Sequence, residues 1–406
     1  MPKSRLHLPR LFLALILTVM ATLPARAFET QARNAYVYDL TTGTVLLEKN
    51  GDVPVPPASM SKLMTVNLLF EALKDGRVTL DTRFSVSEKA QNMGGSTMFL
   101  NTSDRPTVDE LIQGIIINSG NDACVTVAEG LAGSESAFAT MMNERAQVLG
   151  LENSSFGNAS GWPDPRQRMS MHDLVTLSTR LITEFPEYYH YFGQEEFPFD
   201  GRAPDNRFNR DPLLNLGIGA DGLKTGHTEE AGYGLVGSAM QGGRRIVFAV
   251  AGLPSSAARA QEGEAIVNWA FRQFVMKTPL KAGQRVANLS VFLGSEPAVG
   301  LVAAQDVELL MPVTASDKLN AEITWATPVK APIAQGQELA KMTIHRANMP
   351  DTTVPLYAEA GVGKAGFWPR YQAAAMKAYD FAMAQIAGDE APPPAVPMGD
   401  GVSATN

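Results

Sequence analysis

Strand-like patterns at both ends of a long helical stretch are what most limit the folds open to this chain. Residues 34–49 read as a hairpin, with Ala35–Leu40 and Thr44–Glu48 flanking a Thr42-Gly43 turn. A second pair of runs, Tyr233–Ala239 and Arg245–Val250, is joined by Gln241-Gly242-Gly243. Between the pairs the apolar spacing is helical. Leu63, Val66, Asn67, Phe70 and Leu73 share related faces, Thr107 with Glu110 forms a capping-box pattern before Leu111, Ile115 and Ile116, and further helices are expected at 122–131, 136–149 and 171–182. Residues 153–168 are rich in Gly, Pro, Asp and Asn and read as an irregular loop, and Ala260–Val275 reads as a closing helix. Strands, then helices, then strands and a last helix predict one α+β domain whose sheet joins both ends of the stretch.

The flanks have a different texture. Residues 1–27 carry Lys3, Arg5 and Arg10, an apolar run from Leu11 to Leu23, and Ala25-Arg26-Ala27, the pattern of a cleaved secretory signal peptide. Removing its four basic residues and no acid takes the net charge from -8 to -12. An acidic exported chain lacks the basic face of a nucleic-acid binder. Its single cysteine, Cys124, excludes an intrachain disulfide framework and a cysteine-based zinc site, and five scattered histidines do not form HExxH, so no metal or cofactor is expected. Cys124 reads as a buried, inert thiol.

After Pro279, short β-like runs (285–293, 307–310, 321–325, 339–344 and 353–357) predict a small all-β domain. The expected organisation is a leader at 1–27, an α+β domain at 28–278, the β domain at 279–362, an amphipathic helix at 363–388 and a disordered Pro- and Gly-rich tail at 389–406.

Three short motifs carry chemistry. Ser59-Met60-Ser61-Lys62 is an S-x-x-K at the opening of an apolar helix, where spacing i, i+3 puts hydroxyl and amine on one face. A serine is a weak nucleophile until a base takes its proton, and a desolvated lysine near another cation can be that base. Ser119-Gly120-Asn121 lies between apolar runs, and Lys224-Thr225-Gly226 precedes the second strand pair. Each motif alone arises by chance. Ordered, with steps of 60 and 105 residues in an exported chain, they form a specific set.

This set resembles the penicillin-recognising serine enzymes. Ser119-Gly120-Asn121-Asp122-Ala123-Cys124, Asn158–Pro165 and Asp221-Gly222-Leu223-Lys224-Thr225-Gly226-His227-Thr228 are similar to the low-molecular-mass D-alanyl-D-alanine carboxypeptidases, from about Ala35 to about Tyr357. Trp162 stands where many members carry Leu, and Ser160 where some carry His. The resemblance implies a β-lactamase/transpeptidase-like fold, and acyl transfer in which Ser59 attacks the penultimate D-Ala carbonyl of peptidoglycan pentapeptide stems. By the same analogy Lys62 is the base, held neutral by Lys224, and Ser119 relays a proton. Asn121 holds Lys62 and the substrate amide. Lys224, Thr225, Gly226 and His227 line the substrate site, with backbone N–H groups of Ser59 and His227 as the oxyanion hole. Arg210 and Arg259 match positions where members carry arginines for the terminal carboxylate; an ordinary surface arginine is the alternative at each. The analogy further implies covalent β-lactam binding, a periplasmic location and peripheral contact of the 363–388 helix with the inner membrane; packing of that helix on the β domain or a partner is the alternative. A D,D-endopeptidase, a serine β-lactamase and a non-catalytic envelope scaffold stay open as alternatives.

Overall fold

The computed structural model describes residues 28–367 except 203, 315–319 and 347–348, together with 371, 375, 376, 378 and 379. The expected leader at 1–27, the tail at 389–406 and most of the terminal helix lie outside the described residues.

The expected shared sheet is present. Strands β1 (Asn34–Asp39), β2 (Thr44–Lys49), β3 (Ala220–Thr228), β4 (Gly232–Gln241) and β5 (Arg244–Leu253) form an antiparallel sheet ordered β2-β1-β5-β4-β3. The two ends of the domain meet where β1 pairs β5, from Asn34 opposite Ala251 to Asp39 opposite Ile246. Side-chain alternation along β5 shows how this sheet is buried on both faces. Val247, Ala249 and Ala251 face the larger helical core, whereas Ile246, Phe248 and Val250 face a second core beneath the last helix. Gly237 lies opposite Phe248, and a Cβ there would stand 2.4 Å from the Phe248 ring. The bare backbone is what admits that ring.

The helices on the first face are α1 (Lys62–Lys74), α2 (Glu88–Gln91), α3 (Val108–Ile116), α4 (Asn121–Ala132), α5 (Glu135–Val148) and α6 (Met171–Glu184); α7 (Ser256–Gln273) covers the other. Their starts follow from the sequence. Ser87, Thr107, Ser134, Ser170 and Ser255 each cap a helix by accepting a backbone N–H, and Thr107 with Glu110 closes the full capping box. α1 is buried almost all round, because it runs through the centre of the helical layer with Leu63, Met64, Leu69 and Phe70 at or near zero exposure.

The closing helix differs from its expected range. It runs from Ser256 to Gln273, and at Phe274 the chain becomes β6 (Phe274–Leu280), which pairs with β9 (Val307–Pro312). The remaining strands, β7 (Arg285–Phe292), β8 (Ala298–Val302), β10 (Asn320–Trp325), β11 (Val329–Lys330), β12 (Glu338–Arg346) and β13 (Met349–Ala358), form a six-stranded sheet ordered β10-β12-β13-β8-β7-β11. Leu289, Leu301, Met342, Ile344 and Leu356 from that sheet share one core with Leu309 and Met311 of β9. The architecture is the expected one, an α+β domain followed by a β-rich domain.

Candidate active site

Ser59 lies in a single 3-10 turn, Ala58–Ser61, that runs straight into α1. The turn fixes Ser59 and Lys62 on one face, and Lys62 Nζ donates to Ser59 Oγ at 2.7 Å. Two further acceptors hold the amine: Asn121 Oδ1 at 2.8 Å and the Ser160 carbonyl at 2.6 Å. Lys62 is fully buried while Ser59 is half-buried, so the expected base is dry and the expected nucleophile can be reached.

Burial drives the Lys62 amine down to about 8 from its ordinary 10.5, with Arg210 as the neighbouring cation that adds to the effect. Cys124 and Asp122 oppose it. Cys124 opposes only as a thiolate, and burial pushes that thiol up to about 12, so near neutral pH it is an uncharged packing group. Desolvation is the largest cause at both lysines: burial, followed by Lys62, Arg210 and Arg259, pushes Lys224 well below its ordinary value, and two cations this close each disfavour the other's charge.

Ser119 is buried at the turn between α3 and α4, its Oγ has no hydrogen-bond partner among the described residues, and its backbone is left-handed at φ 57°. A non-glycine residue held there costs of order 1–3 kcal/mol and persists only where its surroundings enforce it. Here Gly120 N donates to Gly114 O at 2.9 Å and Asn121 N donates to Ser96 O at 2.7 Å, clamping both sides. Asn121 also donates from Nδ2 to Gly94 O at 2.8 Å, which fixes its amide with Oδ1 toward Lys62.

Lys224, Thr225 and Gly226 are buried on β3, an edge strand packed against the Ser59 turn. The approach is close: a Cβ on Gly226 would stand 2.8 Å from Pro57 O and 3.3 Å from the Ala58 Cβ. His227 is exposed and stacks on Tyr233 at 3.9 Å between ring centroids. Arg210 is an exposed residue whose guanidinium is nevertheless pinned, to Ser96 Oγ at 2.8 Å, to Asn118 O at 3.3 Å and to Asn206 Oδ1. Arg259 is 9% exposed and lies over the Tyr233 ring, and its Nε has no partner among the described residues. Arg259 is buried rather than an ordinary surface arginine, whereas Arg210 stays exposed with its guanidinium held.

The side chains that hold the 153–168 loop were missed in the sequence. Ser160 gives Lys62 its carbonyl, and Thr65 Oγ1 donates to Ala159 O at 2.6 Å. Ala159 N donates to Glu135 Oε1 at 3.1 Å. Asn158 Oδ1 accepts from the backbone N–H groups of Ser160, Gly161 and Trp162. The Asn-x-x-Gly spacing of 158–161 was the available turn signal.

The sequence matches a family model described as D-alanyl-D-alanine carboxypeptidase over residues 19–255, and one described as penicillin-binding protein 5, C-terminal domain, over 274–364. The chain belongs to the D-alanyl-D-alanine carboxypeptidase family. It is 33% identical to D-alanyl-D-alanine carboxypeptidase DacF of Bacillus subtilis, over 83% of this chain and 87% of that one. It is 34% identical to DacC of Escherichia coli, over 84% and 86%. Among solved structures it is similar to the D-alanyl-D-alanine carboxypeptidase DacD of Francisella tularensis (27% identity, TM-score 0.72, 86% of this chain and 98% of that one). It is also similar to penicillin binding protein 5 of Haemophilus influenzae (30%, TM-score 0.67, 84% and 100%). The chain is a serine-type D-Ala-D-Ala carboxypeptidase, as the ordered motifs imply.

Proposed function

We propose that this carboxypeptidase removes the terminal D-alanine of peptidoglycan pentapeptide stems through an acyl-enzyme on Ser59. The observation that carries the reading is the Lys62 Nζ to Ser59 Oγ hydrogen bond of 2.7 Å, made by an amine whose pKa is about 8. In this scheme Ser59 Oγ attacks the carbonyl carbon of the penultimate D-alanine and its proton passes to Lys62. The C–N bond breaks, and the proton reaches the departing D-alanine amine by way of Ser119, whose Oγ, without a partner among the described residues, is free to exchange donor and acceptor roles. Water then attacks the ester and Ser59 Oγ regains its proton. Backbone N–H groups of Ser59 and His227 take the oxyanion, and Asn121 holds the substrate amide. Lys224, Thr225, Arg210 and Arg259 supply the positive field for the terminal carboxylate, for which a guanidinium is the better-shaped partner.

A β-lactam stalls the same cycle as a long-lived Ser59 ester. One similar structure, 29% identical, is penicillin-binding protein D2 of Listeria monocytogenes in an ampicillin-bound form. The leader pattern supports a periplasmic enzyme. Phe367, Tyr371, Met376 and Tyr379 are exposed helical residues that support a peripheral, apolar contact with the inner membrane. A charge of -12 after leader removal offers little electrostatic help there, so the apolar groups must carry that contact.

Fluorescent penicillin tests the centre of this reading. Wild type is expected to take one stable label and Ser59→Ala none; label retained on Ser59→Ala overturns the nucleophile assignment. Pentapeptide and crosslinked dimer offered side by side then separate carboxypeptidase from endopeptidase action.

A further inference from the structure

Trp162 is a large aromatic side chain left 45% exposed on the loop that holds the catalytic lysine. Its position is built, not incidental. Asn158 Oδ1 accepts the Trp162 N–H at 3.1 Å and Asn158 Nδ2 donates to the Trp162 carbonyl at 2.9 Å, so one side chain holds both backbone groups of Trp162. Two residues earlier the same turn presents the Ser160 carbonyl to Lys62.

The indole rests on a glycine saddle. A Cβ on Gly94 would stand 3.2 Å from its Cη2, and a Cβ on Gly95 would stand 3.0 Å from its Cζ3. That second position is also 3.1 Å from Asn121 Nδ2. Trp162 and the Asn121 amide therefore flank the same point of bare backbone, and any side chain at 95 would drive one of them away. Packing on Gly94 and Gly95 uses only part of the indole, and the rest faces solvent beside the catalytic cleft.

The charges orient the cleft. Lys224 lies on β3 and Arg259 over Tyr233 of the neighbouring β4, where a terminal carboxylate belongs; Trp162 packs on Gly94 and Gly95 beside Asn121, on the loop whose Ser160 carbonyl holds Lys62, and Arg210 is bonded to the adjacent Ser96 Oγ. We propose that Trp162 is a specificity-determining residue, an apolar platform for the acyl half of the substrate. It contacts the aliphatic side chain of the residue preceding the penultimate D-alanine. This rests on the reading of Ser59 as nucleophile and of Asn121 as the group facing the acyl chain.

Two synthetic peptides ending in D-Ala-D-Ala test it, one capped by acetylglycine and one by diacetyl-lysine. Burying about 50 Å² of methylene surface on the indole is worth about tenfold in affinity. Trp162→Ala is expected to raise KM for the diacetyl-lysine peptide about tenfold with kcat within twofold, and to leave the acetylglycine peptide unchanged. Trp162→Phe is expected to restore most of the difference. Equal losses on both peptides, carried by kcat, would overturn the proposal by making Trp162 a support for the Lys62 loop; no change on either would also overturn it. Indole emission gives a second readout that needs no variant to turn over substrate. A shift when wild type is acylated by a penicillin with a long acyl chain, absent in Trp162→Phe, supports the contact, and its absence in wild type that carries the label refutes it. Penicillin labelling of each variant and of Ser59→Ala keeps the two readings apart. If Ser59→Ala still labels, the nucleophile is wrong; if it does not and the peptides are still not distinguished, only the platform fails.

Discussion

If a neutral Lys62 takes the Ser59 proton, acylation must follow the neutral fraction of one buried amine. With a pKa of about 8, roughly one hundredth of the enzyme is competent at pH 6, about a tenth at pH 7, half at pH 8 and nine-tenths at pH 9. The second-order rate constant for acylation by a penicillin is therefore expected to rise about tenfold from pH 6 to 7, about fivefold from 7 to 8, and less than twofold beyond. An amine at its ordinary 10.5 would be about 300-fold less competent at pH 7 and would still climb tenfold per unit at pH 9. Stopped-flow acylation is the right assay, because turnover is limited by deacylation whenever the ester is long-lived. Lys62→Arg cannot deprotonate in this range and is expected to be unacylated throughout. A profile flat below pH 8, or one still rising tenfold per unit above pH 9, refutes the argument that desolvation sets the base.

Gly161→Ala introduces a Cβ 2.0 Å from the Ala58 carbonyl oxygen at a position with φ +80°, so it is expected to cost about 2–4 kcal/mol in urea unfolding and to slow penicillin acylation by displacing the Ser160 carbonyl from Lys62. Unchanged stability and labelling would refute the clamp. Asp211 is buried, its Oδ2 has no partner among the described residues, and burial raises its pKa from 3.8 to about 6. The folded protein thus keeps a proton that the unfolded chain releases, and wild type loses up to about 3 kcal/mol as pH rises from 4 to 6, a loss Asp211→Asn escapes. The stability difference between the two is expected to shift toward the variant across that window and stay level above pH 6; a difference independent of pH sinks the assignment.

The parts of this molecule that were legible in the sequence are those where one local rule decides. Alternation in 34–49 and 233–250 placed four of the five strands of the shared sheet, and Thr107 with Glu110 marked a helix start that the structure caps in full. The S-x-x-K spacing put an amine beside a hydroxyl because a turn entering a helix allows little else. β3 was not legible. Gly222, Lys224 and Gly226 have poor strand propensity, and the segment is a strand because β4 pairs it and the Ser59 turn packs on it. β6 was hidden for a similar reason. The helical period of 260–273 gives no sign that Phe274 will pair with Pro312. The Ser160 carbonyl was invisible in a stricter sense, since a backbone oxygen has no residue-type signature, and only the fold reveals that it faces Lys62.

The cost of the site explains why so much of its support lies outside the motifs. Two buried lysines, the left-handed Ser119 and an equally left-handed Ala58 at φ 49° all oppose folding. No disulfide offsets them, because the chain has one cysteine. What offsets them is a set of polar side chains that grip backbone. Asn158 closes the Trp162 turn, Thr65 and Glu135 hold Ala159, and Asp122 accepts N–H groups from Met98 and Leu100 and so fixes the segment that supplies Gly94, Gly95 and Ser96 to the site. A backbone acceptor gripped in this way cannot swing to follow a charge. In the proposed acylation, where Ser59 gives up its proton and Lys62 becomes an ammonium, the Ser160 and Asn121 oxygens are already 2.6 and 2.8 Å away, so the charge would develop among dipoles that need not move. The polar grip that holds the loops against the strain of the site is the same one that keeps those dipoles aimed at the lysine.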